Sequence, residues 1–198
     1  MRITSGKFKN RLVKTPSGTI THPMGDRERL ALFNALTAHI MPPEATTGPL
    51  SNVNAVLDLY SGSGALGLEA LSRGAKSAVF IDKDKQATEV TKQNIDNFGL
   101  KGCTKVYKMS VNQALLSPEI ISKQYDLILI DPPYNLFDSS DFKDAAKLLT
   151  NDGMLVLSYP KVADGKEVKP QEIFPELKVV SDKAYAAANI AIMAFPGM

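Results

Sequence analysis

Strand-like and helix-like segments alternate along most of this chain of 198 residues. Short runs rich in Val, Ile and Leu are followed by segments whose apolar residues recur at three- and four-residue spacing, and Gly, Asn and Asp separate the two kinds of segment. Such alternation is typical of an α/β protein in which helices cross over between parallel strands and cover both faces of the sheet. The pattern therefore predicts a doubly wound, mostly parallel sheet.

The predicted elements follow one another with short connections. The predicted strands are 53–59, 77–81, 104–109, 125–130 and 154–158, and the predicted helices are 29–40, 66–73, 85–98, 111–116 and 139–149. Pro42-Pro43 is expected to end the first helix, and a linker continues to residue 54. The last two β-rich runs, 177–185 and 188–195, lie too close together for a crossover helix and should form an antiparallel hairpin at one edge. The prediction is a seven-stranded α/β sheet with this terminal hairpin.

Composition excludes several classes of protein. Apolar residues make up 44% and charged residues 22% of the chain, as in ordinary globular domains. The sequence contains neither an apolar run long enough to span a membrane nor a signal-peptide pattern, so we expect a soluble, cytoplasmic protein with one domain. The single cysteine, Cys103, excludes an internal disulfide and a cysteine-built zinc site, and we expect no metal.

The net charge of +2 is unevenly distributed. Residues 1–29 hold seven of the 23 Lys and Arg residues and two of the 21 acidic residues, so this part is +5 and the remainder −3. We therefore divide the chain into a basic arm with its helix, 1–41, and a catalytic domain, 53–198. The arm is either a phosphate-binding element or a solvated surface segment. If the arm binds the phosphates of a nucleic acid, its candidate contacts are Lys7, Lys9, Arg11, Arg27 and Arg29.

A glycine-rich loop follows the first predicted strand. Gly62, Gly64 and Gly67 form a Gly-x-Gly-x-x-Gly string, which by itself does not distinguish a dinucleotide site from other nucleotide-like sites. Asp58 precedes the loop, and its carboxylate would repel a diphosphate but attract the cationic ammonium and sulfonium of S-adenosylmethionine. Asp82 ends the second strand, where a carboxylate can accept both hydroxyls of a ribose in either cofactor class. The loop therefore favours S-adenosylmethionine.

Asp131-Pro132-Pro133-Tyr134 follows the fourth predicted strand and so lies at the carboxyl edge of the sheet. An exocyclic base amine is a poor nucleophile because its lone pair is delocalised into the ring. The Asp131 carboxylate and the Pro132 carbonyl can accept its two N–H groups, while the prolines hold the backbone in place. With an ordinary pKa of about 4, Asp131 would polarise the amine first and take its proton only after methylation. Tyr134 offers a face on which an unstacked base can rest.

These residues resemble the bacterial small-subunit ribosomal RNA guanine-N2 methyltransferases of the RsmD type. The resemblance is carried by Met1-Arg2-Ile3 with Gly6-Lys7, Asp26-Arg27-Glu28-Arg29, Leu32-Phe33-Asn34, the stretch 58–75 and the motif 131–134. It implies a class I, Rossmann-like fold and S-adenosylmethionine-dependent methylation of a guanine N2 in 16S rRNA, on an assembling subunit, by a monomer. The implied cofactor residues are Asp58, Tyr60, Gly62, Gly64, Asp82, Ser110 and Val111, and the implied catalytic residues are Asp131, Pro132 and Tyr134.

The sequence also departs from that family. His22-Pro23-Met24-Gly25 replaces a usual Arg-Pro-Thr segment, and Leu30 replaces an acidic residue. Ser110 stands where an acid would meet the adenine amino group, although its hydroxyl can accept the same hydrogen bond while the Val111 N–H serves the ring. His22 faces phosphate in one interpretation and has no such role in the other. A DNA amino-methyltransferase acting on adenine N6 or cytosine N4, and an inactive RNA-binding assembly factor, remain alternatives.

Overall fold

The computed structural model describes residues 1–16, 24–40, 48–185 and 188–197. The helices are α1 (Asp26–Ile40), α2 (Ala65–Ser72), α3 (Lys85–Phe98), α4 (Val111–Ala114), α5 (Pro118–Ile121) and α6 (Pro170–Ile173). The strands are β1 (Ala55–Leu59), β2 (Ser77–Asp82), β3 (Thr104–Lys108), β4 (Tyr125–Ile130), β5 (Leu149–Tyr159), β6 (Val162–Ala163), β7 (Lys166–Glu167), β8 (Lys178–Ala184) and β9 (Asn189–Ala194).

Seven strands form one sheet in the order β3-β2-β1-β4-β5-β9-β8, and β6 and β7 form a separate ribbon. The first five of these are parallel, whereas β9 runs antiparallel to both β5 and β8. The predicted doubly wound sheet with its terminal hairpin is therefore confirmed. The strand order reverses between β1 and β4, which makes the carboxyl ends of these two neighbours the place where such sheets bind ligands.

Each face of the sheet carries its own core. One core joins α1, α2 and α3 to the sheet and includes Leu36, Leu68 and Phe80. The other lies under α4, α5 and α6 and includes Tyr125 and Phe142. Strands β1, β2 and β4 are largely apolar on both sides because helices or turns cover both, whereas the edge strand β3 is only partly buried. None of the helices in the described ranges is long and apolar enough to cross a membrane.

The predicted helix 139–149 is wrong. This segment forms two 3₁₀ turns, Ser139–Asp141 and Lys143–Leu148, and β5 already begins at Leu149. Phe142, Ala145 and Leu148 are buried, and their three-residue spacing matches the three residues per turn of a 3₁₀ helix. Some boundaries also differ: α1 begins three residues earlier than predicted, and α4 ends two residues earlier. The predicted stop at Pro42-Pro43 lies outside the described residues.

Residues 1–16 fold back along α2 and α3. Ile3, Phe8 and Val13 are buried in the same core as the first face of the sheet. Backbone N–H groups secure the segment at both ends: Lys7 donates to Ser72 O at 2.7 Å, and Lys14 donates to Asn94 Oδ1 at 2.9 Å. Residues 1–16 thus form a layer on α2 and α3 and share the core on this face of the sheet.

Candidate active site

The glycine loop links β1 to α2 at the carboxyl edge. Gly62 and Gly64 both have positive φ, at 55° and 77°, a conformation that side chains disfavour. A Cβ placed at Gly62 would meet only Tyr60 O, at 4.0 Å, among the atoms of the described chain, so the loop leaves open space there. Ser61 Oγ is buried and has no hydrogen-bond partner within the described residues. An open cradle beside an unpaired buried hydroxyl fits a site for a polar ligand.

Asp82 supports the loop from the end of β2. Its Oδ2 accepts the Gly62 N–H at 2.8 Å, and its Oδ1 accepts the Asp84 N–H at 2.9 Å. Burial raises the pKa of Asp82, while these two backbone donors lower it. Each carboxylate oxygen keeps lone pairs beyond the one it uses, so the side chain can still accept ribose hydroxyls.

Asp58 lies beneath the loop rather than at its mouth. Its side chain is 1% exposed, and Oδ2 accepts the Gly67 N–H at 2.9 Å. Burial raises the pKa of Asp58 to about 8; the Gly67 bond lowers it, and the nearby charges of Asp131 and Asp82 raise it further. Three acidic side chains therefore converge on this edge, which favours a cationic ligand and opposes a diphosphate.

Tyr60, Ser110 and Val111 lie on the other face of the sheet. Tyr60 has a φ of 59°, and its ring contacts Phe142 edge-on with centroids 6.3 Å apart. Ser110 caps α4: its Oγ accepts the Gln113 N–H at 3.2 Å, and Gln113 Oε1 accepts the Ser110 N–H at 3.0 Å. Val111 is the first residue of α4, so its N–H belongs to the group of amides that a helix start leaves unpaired.

Asp131-Pro132-Pro133-Tyr134 directly follows β4, beside the glycine loop. Ile130 pairs with Leu59, which places Asp131 next to the chain that enters the loop. Pro132 is buried, and within the described part of the chain its carbonyl accepts no hydrogen bond. Tyr134 is half-buried and begins a 3₁₀ turn that ends at Leu136. The motif thus presents a carboxylate and an unpaired carbonyl at one edge.

Ser158 joins this motif from β5. It is 1% exposed, and its Oγ lies 2.5 Å from Tyr134 Oη. Burial raises the pKa of Asp131 to about 6; hydrogen bonding from Ser158 and Tyr134 lowers it, and the charge of Glu28 raises it. The ordinary pKa expected from the sequence is therefore wrong, and Asp131 is a better proton acceptor than a solvated aspartate. The sequence analysis missed Ser158, although a polar residue ending an apolar strand was a usable signal.

The candidate RNA contacts do not form one cluster. Lys7 and Lys9 are exposed near the carboxyl end of α2. This end is about 12 Å, the length of the helix, from the glycine loop at the start of α2. Arg11 is exposed nearby, where its guanidinium lies 4.6 Å from the Phe98 ring centroid and donates to Asn97 O. Arg27 is exposed in the first turn of α1. These exposed cations are therefore spread over the ends of α2 and α3 and the first turn of α1.

The prediction that Arg29 contacts RNA is wrong. This residue is 0% exposed and cannot present its guanidinium to RNA. It pairs with Asp26 at 2.9 Å and with Glu69 of α2 at 3.4 Å, and it also donates to Arg2 O. Glu69 in turn pairs with Arg73 at 2.9 Å and accepts from the N-terminal segment. A buried cation with these partners is a structural anchor that fixes α1 and residues 1–16 to α2.

The remaining single residues have ordinary environments. Cys103 is partly buried, as expected, with Sγ 3.4 Å from Leu100 O, and burial raises its pKa. His39 is exposed in the last turn of α1. Leu30 is 38% exposed on the same helix. His22 and Pro23 lie outside the described residues, so the phosphate-facing interpretation of His22 stays a prediction.

The strand order, the glycine loop at the switch point and the Asp-Pro-Pro-Tyr motif at the same edge define a class: a Rossmann-like class I methyltransferase that uses S-adenosylmethionine. The open cradle, the unpaired Ser61 hydroxyl and the converging carboxylates fit this cation. The chain belongs to the family described as Conserved hypothetical protein 95, whose model matches residues 1–194.

Relatives and solved structures agree with this assignment. The chain is 30% identical over 195 residues, 97% of each chain, to the putative rRNA methyltransferase YlbH of Bacillus subtilis. It is 28% identical over 155 residues to the ribosomal RNA small subunit methyltransferase D of Escherichia coli, covering 78% of this chain and 69% of the relative. The structure of the putative methyltransferase yhhF from Escherichia coli superposes with a TM-score of 0.78 at 22% identity, covering 100% of this chain and 99% of the other.

Proposed function

We propose that this protein methylates an exocyclic base amine of ribosomal RNA, namely a guanine N2 of 16S rRNA on an assembling small subunit. The observation that carries the proposal is the placement of the Asp131 carboxylate and the unpaired Pro132 carbonyl beside the cofactor loop. The names of the relatives support an rRNA substrate. The guanine N2 rests on the resemblance of the motifs 26–34, 58–75 and 131–134 to the guanine-N2 family.

In this proposal the cofactor binds at the carboxyl edge of the sheet and contacts residues from both of its faces. Bound S-adenosylmethionine supplies an electrophilic methyl group on a positively charged sulfur. Asp82 accepts the ribose hydroxyls, and Ser110 and the Val111 N–H serve the adenine. A bound cation favours the ionised form of Asp58 beneath the loop, whose pKa burial raises to about 8. Tyr60, Gly62 and Gly64 shape the cradle, and the free Ser61 hydroxyl is a further polar contact that the sequence did not indicate.

The target amine lies between two acceptors. Asp131 and the Pro132 carbonyl each accept one N–H, which localises the nitrogen lone pair towards the methyl group. The nitrogen that gains the methyl group must lose one proton, and the Asp131 carboxylate takes it before releasing it to water. A pKa of about 6 keeps this carboxylate ionised at neutral pH while making it a stronger base than a solvated aspartate. The Tyr134 ring supports the base, and its hydroxyl stays on Ser158.

In this proposal RNA contacts the exposed cations of residues 1–16 and α1. Arg27 lies in the first turn of α1, which is held near the glycine loop, and contacts RNA close to the target nucleotide. Lys7, Lys9 and Arg11 contact phosphates farther along the RNA. The buried Arg29 is left out of the RNA surface.

The experiment incubates small-subunit rRNA, and separately DNA, with labelled S-adenosylmethionine and identifies the methylated nucleoside by mass spectrometry. We expect N2-methylguanosine from RNA with the wild type and nearly none with Asp131→Ala. Asp131→Asn should keep measurable activity, since its amide oxygen still accepts a hydrogen bond, though a weaker one. Calorimetry should show that both variants bind the cofactor as the wild type does. Label in adenine N6 or cytosine N4 of DNA, or full turnover by Asp131→Ala, would contradict the proposal.

A further inference from the structure

Glu28 is an acidic side chain near the candidate active site that the catalytic proposal does not use. It lies in the first turn of α1 and is partly buried. Its Oε2 accepts the Gly25 N–H at 2.9 Å. Within the described ranges Oε1 accepts no hydrogen bond, and the side chain forms no ion pair, unlike its neighbour Arg29. One carboxylate oxygen is therefore free to meet a ligand.

The first turn of α1 is held beside the cofactor loop. Arg29, the next residue, places Nη1 3.5 Å from Met1 Sδ, and Met1 Sδ lies 3.9 Å from Ser63 Oγ in the glycine loop. The Arg29–Glu69 pair fixes the same turn to α2. Glu28 is thus on a rigid part of the fold, at the carboxyl edge of the sheet.

The charge of Glu28 reaches the groups around the target amine. Burial is the main reason why the pKa of Asp131, Tyr134 and Tyr185 is raised, and the charge of Glu28 raises each further. Tyr185 lies at this edge because it directly follows β8. The last residue of β8, Ala184, pairs with Asn189, and Asn189 also pairs with Tyr159 at the end of β5. The charge of Glu28 therefore disfavours the ionised form of Asp131, and a hydrogen-bond donor bound between the two carboxylates would offset this repulsion.

Guanine is the amino-bearing base with such a donor. Its N1–H lies next to its 2-amino group, whereas the ring nitrogen next to the amino group of adenine or cytosine is an acceptor. A second carboxylate beside Asp131 therefore attracts the Watson–Crick edge of guanine and repels the other two. We propose that Glu28 accepts the N1–H of the target guanine and so determines the specificity of the enzyme for this base. This inference rests on the proposed function, which names guanine N2 as the target but assigns no residue to the selection of guanine.

The test replaces the target guanosine in an rRNA fragment by 2,6-diaminopurine riboside, which keeps the 2-amino group but presents an acceptor at N1. The wild type should methylate the guanosine substrate at least about tenfold faster in single turnover, since a hydrogen bond to a charged group contributes about 1.5 to 3 kcal/mol. Glu28→Gln should reduce this preference by about tenfold or more, because an amide can turn its NH₂ towards the acceptor. The Gln oxygen can still accept from Gly25, so the fold should persist. Glu119→Gln, an exposed acid of α5, is the matched control and should keep the wild-type preference.

The outcomes separate the two proposals. An unchanged preference in Glu28→Gln, or no preference in the wild type, would overturn the role of Glu28 while leaving guanine methylation intact. A wild type that methylates no guanosine in small-subunit rRNA would instead overturn the proposed function itself.

Discussion

Ser158→Ala should move the pH dependence of catalysis, because Ser158 is the buried hydroxyl that favours the ionised form of Asp131. A hydrogen bond to a charged group contributes about 1.5 to 3 kcal/mol, and one pKa unit corresponds to about 1.4 kcal/mol. Loss of this bond should therefore raise the pKa of Asp131 from about 6 by about one to two units.

The sign follows from the proposed role of Asp131 as an acceptor. Only the carboxylate accepts both the amine hydrogen bond and the proton, so turnover should decrease as pH falls through the pKa of Asp131. In the wild type this acid limb should lie at about pH 6, and in Ser158→Ala at about pH 7 to 8. At pH 7 the ionised fraction should fall from about 90% to between about 10% and 50%.

The assay measures single-turnover methylation rates at saturating cofactor as a function of pH. Tyr134→Phe removes the other hydroxyl near the carboxylate but keeps the ring, and should shift the acid limb in the same direction. Ser122→Ala, an exposed serine after α5, should leave the profile unchanged. A slower Ser158→Ala enzyme with an unshifted acid limb would refute the argument and reduce Ser158 to a packing residue.

Two further predictions concern the N-terminal layer. Arg29→Ala should lower the free energy of unfolding, measured by urea denaturation, by about 3 to 5 kcal/mol, because the buried Glu69 charge would lose one partner. Arg27→Ala, at an exposed position, is the control and should change it by no more than about 0.5 kcal/mol. Equal stabilities of the two variants would contradict the anchor role of Arg29. Replacing Lys7, Lys9 and Arg11 together by alanine should make RNA binding less dependent on salt. The slope of the log binding constant against the log salt concentration should decrease by the equivalent of up to about three phosphate contacts, while cofactor affinity stays unchanged. The control is the same change at three exposed lysines of other surfaces, Lys85, Lys123 and Lys166. Equal slopes for the two triple variants would show that residues 1–16 have a structural role and do not bind RNA.

Most of the fold was predictable because its signals are local. The alternation of strand and helix patterns specifies crossover connections, and these bring the carboxyl ends of parallel strands to one edge. The glycine loop begins just after β1 and Asp131 directly follows β4, so their meeting at the switch point between these strands could be derived from the sequence. The segment 139–149 was the exception, since a three-residue apolar spacing is easily read as helical when its partners are unknown.

The charges of the site were not predictable in this way. In the sequence, Asp58 and Asp131 are ordinary aspartates, and it is burial under the loop and beside β5 that raises their pKa to about 8 and about 6. Local patterns do not reveal Glu28 and Ser158, because both come from other elements of the fold. Glu28 lies in α1, about 100 residues before Asp131, and Ser158 lies in the neighbouring strand β5.

Arg27 and Arg29 show most directly where the two kinds of information separate. Both are arginines of one basic segment, and local sequence determines that they share the first turn of a helix. Tertiary structure alone decides that Arg27 faces solvent while Arg29 is enclosed with Glu69, forty residues away in the chain. The sequence by itself thus determined the sheet, the cofactor loop and the position of the Asp-Pro-Pro-Tyr motif at the sheet edge, because neighbouring residues encode them. The fold decided which charges remain free to act, because burial and pairing depend on residues brought together from distant parts of the chain.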